Sequence, residues 1–159
     1  MEDLIMEAIQ WTETHTYLQA VMKKELETMQ KLLANVSLEE QFILQKENRY
    51  WDSLMGERAR LKEDLGKIHQ DRLSVIEKIE FLTSNPHVDL EALLPPQDLN
   101  SWEILSLRDQ MLTLQDRISL QSSRNEMLLH VLETPLPQQK TKITLETLTR
   151  EDYKDRDAS

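Results

Sequence analysis

A chain that keeps an apolar residue at every third or fourth position, with almost nothing to break the backbone, can bury those residues only by forming long helices. Before Asn85 the only glycines or prolines are Gly56 and Gly66. Over residues 2–33, alternating steps of four and three pick out Leu4, Ala8, Trp11, His15, Leu18, Met22, Glu25, Met29 and Leu32. Apolar residues hold seven of those nine positions, and Glu, Gln, Lys and Thr fill most of the gaps. The pattern predicts an amphipathic helix with a coiled-coil-like seam.

Ala34-Asn35-Val36-Ser37 reads as a break, because Ser37 with Glu40 three residues on fits a capping box. A second helix is expected over 38–82, with the seam Trp51, Leu54, Arg58, Leu61, Leu65, Ile68, Arg72, Val75, Ile79 and Leu82. At the helical rise it would be roughly 65 Å long, the longest element of the chain. Gly56 and Gly66 each cost about 1 kcal/mol there against alanine, but neither lies on the seam, so a bend is expected rather than a break. Residues 83–98 carry Asn85-Pro86 and Pro95-Pro96 around a possible short helix, 88–94.

The third helix is expected over 99–133, with seam residues Ile104, Leu107, Met111, Leu114, Ile118, Gln121, Asn125, Leu128 and Leu132. Pro135 and Pro137 end it. The polar tail, 134–159, has one weakly amphipathic island at Ile143-Thr144-Leu145-Glu146-Thr147-Leu148 and reads as disordered when free. Three apolar stripes joined by one short and one longer connection give an all-α fold. It is expected to be an elongated antiparallel three-helix bundle over 1–133 with a flexible C-terminal tail over 134–159.

Composition narrows the function classes. Net charge is −10, from 29 acidic and 19 basic residues, which disfavours nucleic acid as a partner. No apolar run approaches a bilayer span, and Met1-Glu2-Asp3 lacks a basic signal-peptide region, so a cytoplasmic protein without membrane insertion is expected. The absence of cysteine is compatible with that compartment. His15, His69, His87 and His130 have no metal-ligand spacing, and no phosphate loop or nucleophile elbow is present. Neither a metal, a cofactor nor an enzymatic activity is expected. The acidic pairs, Glu39-Glu40 among them, read as solvated helix faces, with Glu63 and Lys67 an i,i+4 pair.

Polar residues on the seams say more. Arg58 and Arg72 should snorkel or pair with acidic neighbours. Gln121 and Asn125, one turn apart, either fix register as a buried asparagine does in coiled coils or mark where the third helix faces a partner. Trp11, Trp51, Trp102 and the methionines either fill core or form an adaptable groove for a target helix.

A long first helix, the Asn35-Val36-Ser37 turn, Trp51-x-x-Leu54-x-x-x-Arg58-x-x-Leu61 and Asn125-x-x-Leu128-Leu129-x-x-Leu132 together resemble the FlgN family of flagellar export chaperones. The resemblance covers most of residues 1–133. It implies a cytosolic chaperone of a type III export system. Such a chaperone binds the C-terminal amphipathic helices of hook-associated (hook-filament junction) proteins, prevents premature assembly and delivers them to the cytoplasmic domain of the export gate. On that basis the client groove is assigned to Met111, Leu114, Ile118, Leu128 and Leu132, with Asn125 as its polar marker. Tyr153 in the tail is assigned to gate docking. Self-association without client is left open. The alternatives are a structural coiled-coil scaffold subunit and a chaperone of a virulence secretion system.

Overall fold

The computed structural model describes residues 2–83 and 99–132. They form three helices: α1, Glu2–Gln45; α2, Trp51–Thr83; and α3, Leu99–Leu132. The seam side chains Leu4, Ala8 and Trp11, the suggested short helix 88–94, the whole tail and Tyr153 lie outside the described residues.

α1 does not end at the Asn35-Val36-Ser37 segment. It passes through residues 34–37 without interruption, and the turn comes at residues 46–50. Lys46 takes a left-handed conformation with φ of 53°. Its amide donates to the Ile43 carbonyl at 3.2 Å and the Glu47 amide to that of Phe42 at 2.9 Å. These are the two bonds of a Schellman stop, built here on lysine where glycine is usual. Glu47 Oε1 then accepts from the Arg49 amide at 2.7 Å, and α2 begins at Trp51. A capping-box spacing is compatible with a helix interior as well as a start. What decides is the seam, which runs on without a phase change through Leu32, Val36, Glu39 and Ile43, all buried. α1 is therefore the longest element at 44 residues, and α2 has 33.

Contacts between elements fix the directions. Asn35 meets Leu54 and Glu25 meets Arg72, so α2 runs antiparallel to α1. Gln19 hydrogen-bonds Glu103 and Asn125 reaches Val36, so α3 runs parallel to α1 and antiparallel to α2. α1 is the central helix: both neighbours lie close against its backbone, and α2 and α3 make no comparable approach to each other. Its buried face is correspondingly wide. Beside the seam it carries a second buried row at seven-residue spacing, Thr14, Val21, Thr28 and Asn35. Thr14 and Thr28 satisfy their hydroxyls on the carbonyls of Gln10 and Lys24, four residues back.

The main core is continuous. Leu18, Met22, Met29 and Leu32 of α1 meet Leu61, Leu65, Val75 and Ile79 of α2 and Ile104, Leu107, Met111, Leu114 and Ile118 of α3. Each such side chain contributes about 1.5–3 kcal/mol on burial. A smaller cluster sits at the turn end, where Ile43 and Trp51 are buried and Phe42, Met55, Leu128 and Leu129 pack partly against them. Among the described residues no helix is long and apolar enough to cross a membrane.

Candidate functional site

Two polar layers interrupt the apolar seams. In the first, α1 contributes Glu25 and α2 contributes His69 and Arg72, three or four residues apart and hence on one face. The Arg72 Nε donates to both carboxylate oxygens of Glu25, at 2.8 and 3.2 Å. Arg72 Nη2 lies 2.7 Å from His69 Nδ1. A guanidinium only donates, so that ring nitrogen accepts and the imidazole proton sits on Nε2. All three side chains are buried.

The second layer lies toward the turn and joins all three helices. Glu39 is its hub: Oε2 accepts from Arg58 Nη1 at 2.9 Å and Oε1 accepts from Asn125 Nδ2 at 2.6 Å. Asn35 Oδ1 accepts from Arg58 Nε at 2.9 Å, and its Nδ2 donates to the Leu54 carbonyl at 3.0 Å. Asn125 repeats that arrangement on the other side of α1. Its Nδ2 also donates to the Val36 carbonyl at 2.7 Å, and its Oδ1 accepts from Gln121 Nε2 at 2.9 Å. At the rim Glu40 takes Gln121 Nε2 at 2.7 Å and Arg124 Nε at 2.7 Å. Each amide finds donor and acceptor partners at one axial position only. The layer therefore specifies register, because a slip along α1 would leave Glu39 buried and unpaired.

Arg58 and Arg72 thus pair with acidic neighbours, as expected. Glu39 does not lie on a solvated face; it is fully buried. The seven-residue step from Glu25 through Leu32 to Glu39 was the sequence signal for it. The capping-box pattern at Ser37 and Glu40 masks that step, because it marks a helix start beside Asn35. Glu63 and Lys67 do pair, at 3.4 Å, but both are exposed and the pair contributes little.

The residues assigned to the client groove fall in two environments. Met111, Leu114, Ile118 and Asn125 face α1 and are buried inside the bundle. Of these, Leu114 also borders an open surface groove between α1 and α3. Leu128 packs partly against the turn-end cluster, and Leu132, at the end of α3, is 39% exposed. The open apolar surface of α3 is a different set. Leu120, Met127 and Val131 are 73%, 63% and 67% exposed on its outward side. Their spacing of seven and four residues makes one stripe, and Arg117 and Arg124, both exposed, run beside it. The stripe is a second periodic row beside the seam of the same helix, and spacing alone does not say which row faces outward. Two open surface grooves flank α1. One, of about 600 Å³, lies toward α3 beside Leu26, Trp102, Leu105 and Arg117; the other, of about 470 Å³, lies toward α2 beside Tyr17, Val75 and Lys78. No group of three or more potential metal ligands occurs among the described residues.

Comparison with protein-family models, curated proteins and solved structures gives no match for this chain.

Proposed function

We propose that this chain is a cytoplasmic export chaperone, without chemistry of its own, that holds the amphipathic helix of a secreted protein. One observation carries it: the second half of α3 has more apolar surface than the bundle covers. Leu128 and Leu129 point toward the turn-end cluster and are only partly buried, while Leu120, Met127 and Val131 stand in solvent on the opposite side. A row of exposed apolar side chains along a helix suits a partner helix laid beside it. The net charge of −10 argues against a polyanionic partner.

The resemblance drawn from the sequence supplies the finer identity: hook-associated proteins as clients, bound through their C-terminal helices, and an export gate as the next partner, with Tyr153 in the docking tail. Titration of the full chain with synthetic C-terminal helices of hook-associated proteins, followed by calorimetry, tests it. Saturable binding that is lost with a scrambled peptide of the same composition supports the proposal. Equal heats from both peptides, or none from either, refute it and favour a scaffold subunit.

A further inference from the structure

The second half of α3 is attached differently from everything else in the bundle. α1 and α2 are joined by a five-residue turn and by two buried ion pairs, Glu25 with Arg72 and Glu39 with Arg58. The first half of α3 is held by Ile104, Leu107, Met111, Leu114 and Ile118 in the continuous core. From residue 119 onward the ties to the hairpin include the amides of Gln121 and Asn125, the rim pair Arg124–Glu40 and the partial contacts of Leu128 and Leu129, and Ser122 is buried as well. The seat under that segment has a defined chemistry. It offers two acceptors, the Val36 carbonyl and Glu39 Oε1, next to the apolar Ile43 and Trp51. At the same end Arg58 Nη2 and Trp51 Nε1 are buried donors with no acceptor among the described residues.

We propose that residues 119–132 leave the hairpin as a unit and that a partner's amphipathic helix takes their seat. That helix carries an amide facing Glu39 and apolar residues three and four positions later. The sequence that fits is the one α3 itself presents, Asn125-x-x-Leu128-Leu129. The amide is the specificity element. A helix with leucine there would strand Glu39 Oε1 without a donor in a buried site, which disfavours it. Exchange also accounts for a segment apolar on both sides, since once released its outer row can lie against the incoming helix. The partner's observed affinity is the intrinsic one reduced by the fraction of molecules with the seat open. The proposal rests on the helix-binding function above but commits to a different place and mode.

The test uses the full chain, which has no native cysteine. Glu40→Cys and Arg124→Cys replace the rim ion pair, and a short bis-maleimide joins them, holding α3 down. The probe is a fluorescein-labelled synthetic peptide of residues 117–132, read by anisotropy. It is expected to bind the unlinked double variant and to bind the linked form at least tenfold more weakly. The same peptide with leucine in place of Asn125 is expected to bind the unlinked protein about tenfold to a hundredfold more weakly, the range for a buried hydrogen bond to a charged group. That change is in the peptide, so the protein's folding is not at stake. Thermal melting of the linked form at or above that of the unlinked form verifies its fold. Equal binding to linked and unlinked protein, equal binding of both peptides, or no binding at all overturns the exchange. The two proposals separate cleanly. Client helices that bind linked and unlinked protein equally leave the chaperone function standing and remove the exchange. A chain that takes its own peptide but no client helix does the reverse.

Discussion

The two halves of α3 are one continuous helix in one sequence context, yet they solve different problems. In residues 101–118 every apolar seam position is buried, and the exposed surface is mainly polar apart from Trp102. In residues 119–132 the seam turns polar at Gln121 and Asn125, and Leu128 and Leu129 beyond it are partly covered. Leu120, Met127, Val131 and Leu132 are exposed. Apolar burial is strong and non-directional; hydrogen-bonded layers add little net stability but tolerate only one alignment. The first half therefore holds the bundle together. The second half sets where α3 stops sliding and leaves apolar surface for something else to cover.

The sharpest attempt to break that contrast removes the hub of the polar layer. Glu39→Ala leaves the Arg58 guanidinium buried without its carboxylate, and a loss of about 3–5 kcal/mol is expected in urea denaturation. Replacing Glu39 and Arg58 together by leucine and methionine should recover most of it, since a buried pair exchanged for apolar residues is often neutral or better. If the double variant is as unstable as the single one, the layer stabilises the fold as well as aligning it.

A direct comparison of the halves comes next. Met111→Ala should cost about 2–5 kcal/mol, as for other fully buried side chains cut back to alanine. Leu128→Ala should cost no more than about 1–2 kcal/mol, because it is only partly covered. Equal costs would mean that the turn-end cluster is as firmly packed as the main core. The same contrast should be visible in hydrogen exchange, with amides of 119–132 opening at lower free energy than those of 104–118.

A smaller effect is expected from Gly56→Ala near the polar layer on α2. No atom lies within 4 Å of where the new Cβ would sit, so a gain approaching about 1 kcal/mol should appear as a raised melting temperature. The smallest change in stability belongs to the pair Leu120→Ser with Met127→Ser, within about 0.5 kcal/mol per site, since both side chains are solvent-exposed. Client binding, by contrast, should fall sharply in the same variant. A folded variant with undiminished affinity would take the outer stripe out of the proposed function. Substituting aspartate at Leu114 or Ile118 would not serve this purpose, because either change puts a charge into the main core and destabilises the fold.

Periodicity by itself determined much of this protein. Three long helices, their order and most residues of the main core follow from apolar spacing. A stripe of that length has no other way to leave water. The same sequence signals misplaced the first turn by about ten residues. A serine and a glutamate three apart satisfy a local rule wherever they occur, and an asparagine looks like a turn former until its partners on α2 are known. The uninterrupted seam keeps Asn35 and Glu39 inside α1, but only tertiary structure showed what pairs with them there, Arg58, some twenty residues away. Tertiary structure also decided that Met111, Leu114 and Ile118 face inward and Leu120, Met127 and Val131 outward. Helical spacing groups residues into faces, but which face meets α1 depends on the neighbours that pack against it, and those are distant in the chain.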